Sequence, residues 1–317
     1  MPLRLLRRAL WAATALPLLL GSAPVGAQSS APDALAGPAP MLTRADGPLT
    51  SPAAFVGFNV WVGAVSAAVR AQRRGARVLR AALAGAAGGA VTAAGQRLIG
   101  VGPAGLRFAG LQLVALGANV GRNAGEGVPV LSDVILPLYP LYLRVQPGAT
   151  HPVRVRVSAM ALRGLAVAAV QRQSRIRFDP MESLRTGAPV FRSPLNALPL
   201  GSSDAGCIEQ RCVVGLHLTG AIIYAGGSDP RLAALRGETL RHEASHLAQF
   251  ARDGVLFGVP ASDRLLAAGG RPGRWLRGWL VADVALPLLG ADLLTTAATS
   301  DPDVQSLYER EVRAMMR

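Results

Sequence analysis

The sequence predicts an α+β fold, and three changes of texture along its 317 residues carry that prediction. Residues 53–130 form an Ala/Gly-rich helical region, residues 131–227 alternate apolar side chains with arginine in short runs, and residues 228–317 return to helical character. The expected architecture is a helical layer, a small and mainly antiparallel sheet, and a C-terminal helical part.

Three helices are expected in the first region, at 58–73, 77–99 and 105–119, separated by glycine-containing breaks. Gly85, Gly88, Gly89 and Gly95 would let helix backbones approach closely. The runs 52–69 and 81–96 lack charge, so membrane insertion stands beside a soluble helical layer. Both nevertheless fall short of the roughly 20 strongly apolar residues of a spanning helix. The string Gly100-Val101-Gly102-Pro103-Ala104-Gly105 spells a dinucleotide-binding pattern but follows a helix rather than a strand, which rejects it.

Val153-Arg154-Val155-Arg156-Val157 and Arg175-Ile176-Arg177-Phe178 show the period of two that marks a half-buried strand. Runs 134–145 and 213–224 are further strand candidates, and Pro137 and Pro140 reduce the first to an edge or broken strand. Residues 180–206 read as a Pro/Gly-rich loop. Ser228-Asp229-Pro230 is a helix start, Asp253-Gly254 a helix stop, and a last helix is expected over 303–316.

Residues 1–27 read as an export signal, with Arg4, Arg7 and Arg8 before the apolar run 9–20 and the small residues Val25-Gly26-Ala27 at the cleavage position. Residues 28–52 read as a flexible linker. The expected location is therefore periplasmic or secreted, with membrane association as a further option. In that oxidising setting Cys207 and Cys212 are a candidate disulfide; a Cys-x4-Cys pair alone falls short of a structural zinc site.

The formal net charge is +14, and all 33 basic residues are arginine. Abundant Ala, Gly and Pro beside the missing lysine point to GC-rich codons, so no nucleic-acid partner is expected. An arginine-rich exported surface suits anionic membrane lipid or lipopolysaccharide phosphates.

The chemistry concentrates in Leu240-Arg241-His242-Glu243-Ala244-Ser245-His246-Leu247-Ala248-Gln249, where two of only four histidines flank a glutamate in a His-Glu-x-x-His pattern. On a helix, residues four apart share a face, so both imidazoles can reach one tetrahedral Zn2+ while Glu243 turns toward the open coordination position. There Glu243 could take a proton from water whose pKa the metal lowers to about 7. A third histidine in the metzincin pattern is absent, since Ala248 and Arg252 occupy its glycine and histidine positions.

From Arg241 onward the chain resembles secreted or membrane-associated bacterial gluzincin-like proteins. The matching residues are His242, Glu243, His246, Gln249, the run Gly254-Val255-Leu256-Phe257-Gly258-Val259-Pro260, and Glu311 with Ala314. The resemblance covers about the last quarter of the chain. It implies a zincin-like core, Glu311 as the third zinc ligand, and an edge strand, placed here at 213–224, that binds a peptide or protein substrate. Glu309 is the alternative ligand, since it lies about 200° around the helix from Glu311. His217, Tyr224 and Tyr308 are candidate transition-state donors. Two departures stand: no aspartate follows Ala314, and only six residues follow Glu311. The competing expectation is a non-catalytic envelope protein with a structural or vestigial zinc site. Under either reading Trp275, Trp279 and the run 286–294 are candidates for a membrane-facing helix or a lid over the cleft, and Asp283 and Asp292 favour burial against protein or an interfacial position over spanning.

Overall fold

Ser51 and Pro52 start the first helix of the computed structural model, which describes residues 30–31, 51–159, 161–162, 165, 176–195, 207–208, 211–213, 215–217, 220–282 and 307–316. The Ser51 hydroxyl accepts from the Ala54 amide at 3.1 Å, and Gly75, at φ 68°, ends the helix in the left-handed region. Helices α1 (Pro52–Arg74), α2 (Val78–Val101) and α3 (Arg107–Glu126) overlap the three expected ones; α1 begins earlier than expected, and α2 and α3 begin slightly later and end further along.

Glycine sets how close these helices come. A Cβ at Gly63 would lie 2.2 Å from the Gly85 carbonyl oxygen, and one at Gly88 would lie 2.4 Å from that of Gly117. Backbone therefore touches backbone along both sides of α2, a contact that any side chain would separate.

The strands follow the alternating pattern, with breaks where proline and glycine demand them. β1 (Ser30–Ala31) pairs with residues 212–213, so the expected linker contributes a strand. The run 134–145 is a hairpin of β2 (Val134–Leu138) and β3 (Leu141–Val145), and the Tyr139–Pro140 peptide between them is cis. It is followed by β4 (Val153–Ser158) and β5 (Arg177–Phe178).

The expected loop over 180–206 instead holds α4 (Pro180–Thr186) and β6 (Val190–Ser193). Asp179 caps α4 by accepting from the Glu182 amide at 3.1 Å, Pro180 sits in its first turn, and Gly187 terminates it at φ 74°. Proline and glycine here are helix-end signals rather than loop composition.

Strands β7 (Cys207–Ile208) and β8 (Arg211–Val213) form a short ladder that sets Cys207 opposite Cys212. The expected single strand at 213–224 splits into β9 (Gly215–His217) and β10 (Ile222–Ala225), because Gly220 turns the chain at φ 110°.

Among the described residues the sheets run β1-β8-β7, β5-β6-β10-β9 and β11-β4-β3-β2, with β11 at Leu280–Val281. Pairing is mainly antiparallel, as expected; β6 with β10 and β4 with β11 are the parallel exceptions. The protein is α+β.

Helix α5 (Pro230–Asp253) begins behind Asp229, whose carboxylate accepts from the Arg231 amide at 2.9 Å. Gly254 does not stop the chain: a π-helical turn (Gly254–Gly258) carries it into α6 (Val259–Ala268) and then α7 (Gly270–Trp279). A Cβ at Gly254 would lie 2.8 Å from the Tyr142 hydroxyl, so this glycine answers a close approach, not a helix end. The last helix, α8, is described over Leu307–Met316; residues 286–294 and 303–306 of the sequence reading lie outside the described residues.

One core joins the layers. Leu111, Val114 and Ala118 of α3 meet Ile135 and Tyr142 of the β2–β3 hairpin and Ala244, Leu247 and Ala251 of α5. The buried Asn119 side chain fixes β2 by donating to the Ile135 carbonyl at 2.8 Å and accepting its amide at 3.0 Å. Helix α5 thus packs against α2, α3 and α8 on one side and β9 and β10 on the other, which buries Glu243 and His246.

Candidate functional site

Helical spacing brings His242 and His246 together, with their Nε2 atoms 3.3 Å apart and their rings edge-on. Gln249, one turn further along, fixes the His246 ring. Its side-chain oxygen faces His246 Nδ1 at 3.0 Å while its amide nitrogen donates to Glu311 Oε2 at 2.9 Å. With the amide oriented this way, Nδ1 carries the His246 proton and Nε2 keeps its lone pair. Two imidazoles this close either share a hydrogen bond or present both lone pairs to one cation.

The two-histidine half fits zinc. Ligands about 2.0–2.1 Å from a tetrahedral zinc stand about 3.3–3.4 Å from each other, the separation found between the two Nε2 atoms. Among the described residues, however, no group of three His, Cys, Asp or Glu side chains is close enough to hold a metal.

The structure places Glu311 one layer further out than the resemblance implies. Its side chain is buried, and its carboxylate accepts from Gln249, from Gln96 of α2 at 2.9 Å, and from the Arg252 guanidinium. Arg252 also bonds Asp253 at 2.9 Å and Asn59 of α1 at 3.3 Å. A guanidinium against the carboxylate, and Gln249 between it and His246, make Glu311 an outer partner of the histidine. Metal-ligating histidines characteristically have such a partner on their second nitrogen.

Glu243 is fully buried and lies against β9. A Cβ at Gly215 would come 2.7 Å from its Oε1 and 2.5 Å from Thr239 Cγ2, so only glycine leaves the carboxylate room. His217, on the same strand, stacks toward His246 with ring centroids 6.3 Å apart and packs on Phe250 at 4.9 Å. Burial, and then the neighbouring His246, push its imidazole down to about 3, so it is neutral at physiological pH. Its Nε2 accepts the Gly220 amide at 3.2 Å, which leaves the ring proton on Nδ1.

Tyr224 belongs elsewhere, which corrects the expectation that it serves this site. Its hydroxyl donates to Asp179 at 2.8 Å and its ring lies under the Arg236 guanidinium at 5.3 Å. Burial, reinforced by the bond to Asp179, pushes its hydroxyl up to about 12. Asp179 is held below its usual range: burial opposes this, and the Glu182 amide, Tyr224 and Arg236 outweigh it. Tyr308 and Glu309 lie on α8, and their side chains are outside the described residues.

Gln96, Asn59 and Gly215 are the site residues that sequence reasoning missed. Gln96 and Asn59 had a signal: each is a lone amide in an uncharged helical run, and buried amides require partners. Comparison of the chain with protein-family models, curated proteins and solved structures finds no match.

Proposed function

We propose that the chain is an exported zinc-dependent hydrolase of peptide bonds, with a zincin-like core around α5. The observation that carries this reading is the 3.3 Å separation of His242 and His246 Nε2, with Glu243 on the same helix face region and buried against β9. His242 and His246 would hold a zinc ion, which when bound would supply the Lewis acidity that brings the pKa of water to about 7.

The remaining roles fall to residues of this chain. Glu243 accepts a proton at its carboxylate and returns it to the leaving amine, as general bases of such motifs do. Glu311 and Gln249 hold His246 in the tautomer that leaves Nε2 basic. β9 ends the order of the second sheet and lies along α5, a position where an extended peptide can add by strand pairing. His217, neutral and beside His246, offers an Nδ1 proton toward developing negative charge.

The test is Glu243→Gln, scored for zinc content and for cleavage of a peptide library. The expected variant keeps its metal and loses hydrolysis; unchanged hydrolysis would sink the mechanism. The second reading, a non-catalytic envelope protein with a vestigial site, is favoured by the pair of histidines without a third ligand among the described residues. It requires that the wild-type chain cleave nothing while still binding zinc.

A further inference from the structure

Between Arg80 and Arg97, helix α2 presents an outer face with nothing polar on it. Leu79, Leu83, Ala87, Val91, Ala94 and Val101 recur at helical spacing, and all are exposed, Leu79 and Leu83 by 74% and 65%. No charged residue interrupts α2 between Arg80 and Arg97. An amphipathic helix of a water-facing layer carries charge along its outer side, and this one carries none between Arg80 and Arg97.

Length and burial point the same way. At 1.5 Å per residue the 23 residues of α1 and 24 of α2 extend about 35 Å and about 36 Å, against about 30 Å for the hydrocarbon of a bilayer. The helices outrun the charge-free runs that fell short in the sequence, so by length and composition both can cross a membrane, yet only 28% and 39% of their apolar windows are buried. The amides of their uncharged runs turn inward: Asn59 and Gln96 are buried in the Arg252–Glu311 network.

The turn joining the two helices supplies complementary charge. Arg73, Arg74, Arg77 and Arg80 are all exposed there, and no acidic residue occurs between Asp46 and Glu126. Glu126 itself faces Arg70 at 3.8 Å. Basic clusters flanking an apolar face are attracted to anionic headgroups.

We propose that the outer face of α2, with the exposed flank of α1 beside it, is a lipid-contacting surface seated against the hydrocarbon of an anionic bilayer. The arginine turn lies in the headgroup phosphates. The glycine contacts between α1, α2 and α3 suit this setting, since close backbone packing holds helices together where lipid competes for apolar contact.

Flotation of the full chain with vesicles of phosphatidylcholine and phosphatidylglycerol, followed by a carbonate wash, tests the proposal. The wild type is expected to float and resist carbonate. The double variant L83E/V91E should lose roughly tenfold or more of the retained fraction, because each acid must enter hydrocarbon. Circular dichroism should show it folded, since both positions are exposed. The control L184E, at a 75% exposed leucine on α4, should float like wild type.

Arg77→Gln with Arg80→Gln should weaken binding to the anionic vesicles more than to phosphatidylcholine alone. Release of the wild type by carbonate, or equal retention of L83E/V91E, overturns the proposal. So does a soluble dimer that separates on L83E/V91E, because a second copy then covers the face.

Discussion

Gly215 is where the placement of Glu243 is most open to test. Adding a methyl there pushes on Glu243 and Thr239 at once, so Gly215→Ala is expected to cost about 1–3 kcal/mol, the usual range for overpacking, and to lower hydrolysis with it. Urea denaturation beside a peptide assay reads both. Glu311 gives a sharper distinction between ligand and outer partner. If it acts through Gln249, Glu311→Gln should weaken zinc by about 10–100-fold, as losses of outer partners do, and leave one zinc site that fills at higher concentration. A folded variant with no zinc at any concentration would make Glu311 a direct ligand. Glu311→Ala should also cost about 1–3 kcal/mol, since it removes one of the two carboxylates that the buried Arg252 guanidinium bonds and leaves the pair with Asp253. Tyr224 supplies a pH test. Its folded pKa is raised, so the stability it contributes is present below about 10 and is lost as pH rises from about 10 toward about 12. Tyrosinate absorbance should show a group titrating near 12 that vanishes in Tyr224→Phe; a difference spectrum centred near 10 contradicts the burial argument.

Helices α1, α2 and α3 were the elements most legible in the sequence, because length, missing charge and glycine spacing all act locally. What the pattern did not reveal was which glycines touch. Gly63 and Gly85 meet backbone to backbone, whereas a Cβ at Gly57 on α1 would meet nothing within 4 Å. Gly63→Val is therefore expected to destabilise by about 3 kcal/mol or more, and Gly57→Ala to stabilise by about 0.4–1 kcal/mol, in thermal unfolding. Similar losses in both would mean the helices do not pack through Gly63. The strands show the other side of the problem. Alternation located β4 and the 134–145 pair, but the parallel partnering of β6 with β10 depends on long-range contacts that no local period encodes. Helix α4 was hidden by composition, although Asp179, Pro180 and Gly187 stand at cap positions. Within the site, His242, Glu243 and His246 were readable from spacing alone. Gln96 and Asn59 stood out only as lone amides in need of partners; which partners they find was not readable, because these come from α5 and α8, far along the chain.

Across the whole molecule, α5 is the element on which both halves converge. The glycine-packed helices cover one side of it and supply Gln96 and Asn59 to the Glu311 network; β9 and β10 cover the other and supply Gly215 and His217. The front helices therefore complete the site rather than merely accompany it. A lipid-contacting α2 would then hold that site beside a membrane surface, which restricts substrates to chains that reach it. The central claim is that the two histidines bind zinc. Elemental analysis of the full chain and of His242→Ala and His246→Ala, each checked for folding, tests it most directly. The account expects about one zinc per wild-type chain and a loss of that zinc in either variant. A wild-type chain that takes up no zinc on reconstitution, or variants that retain it fully, would contradict it.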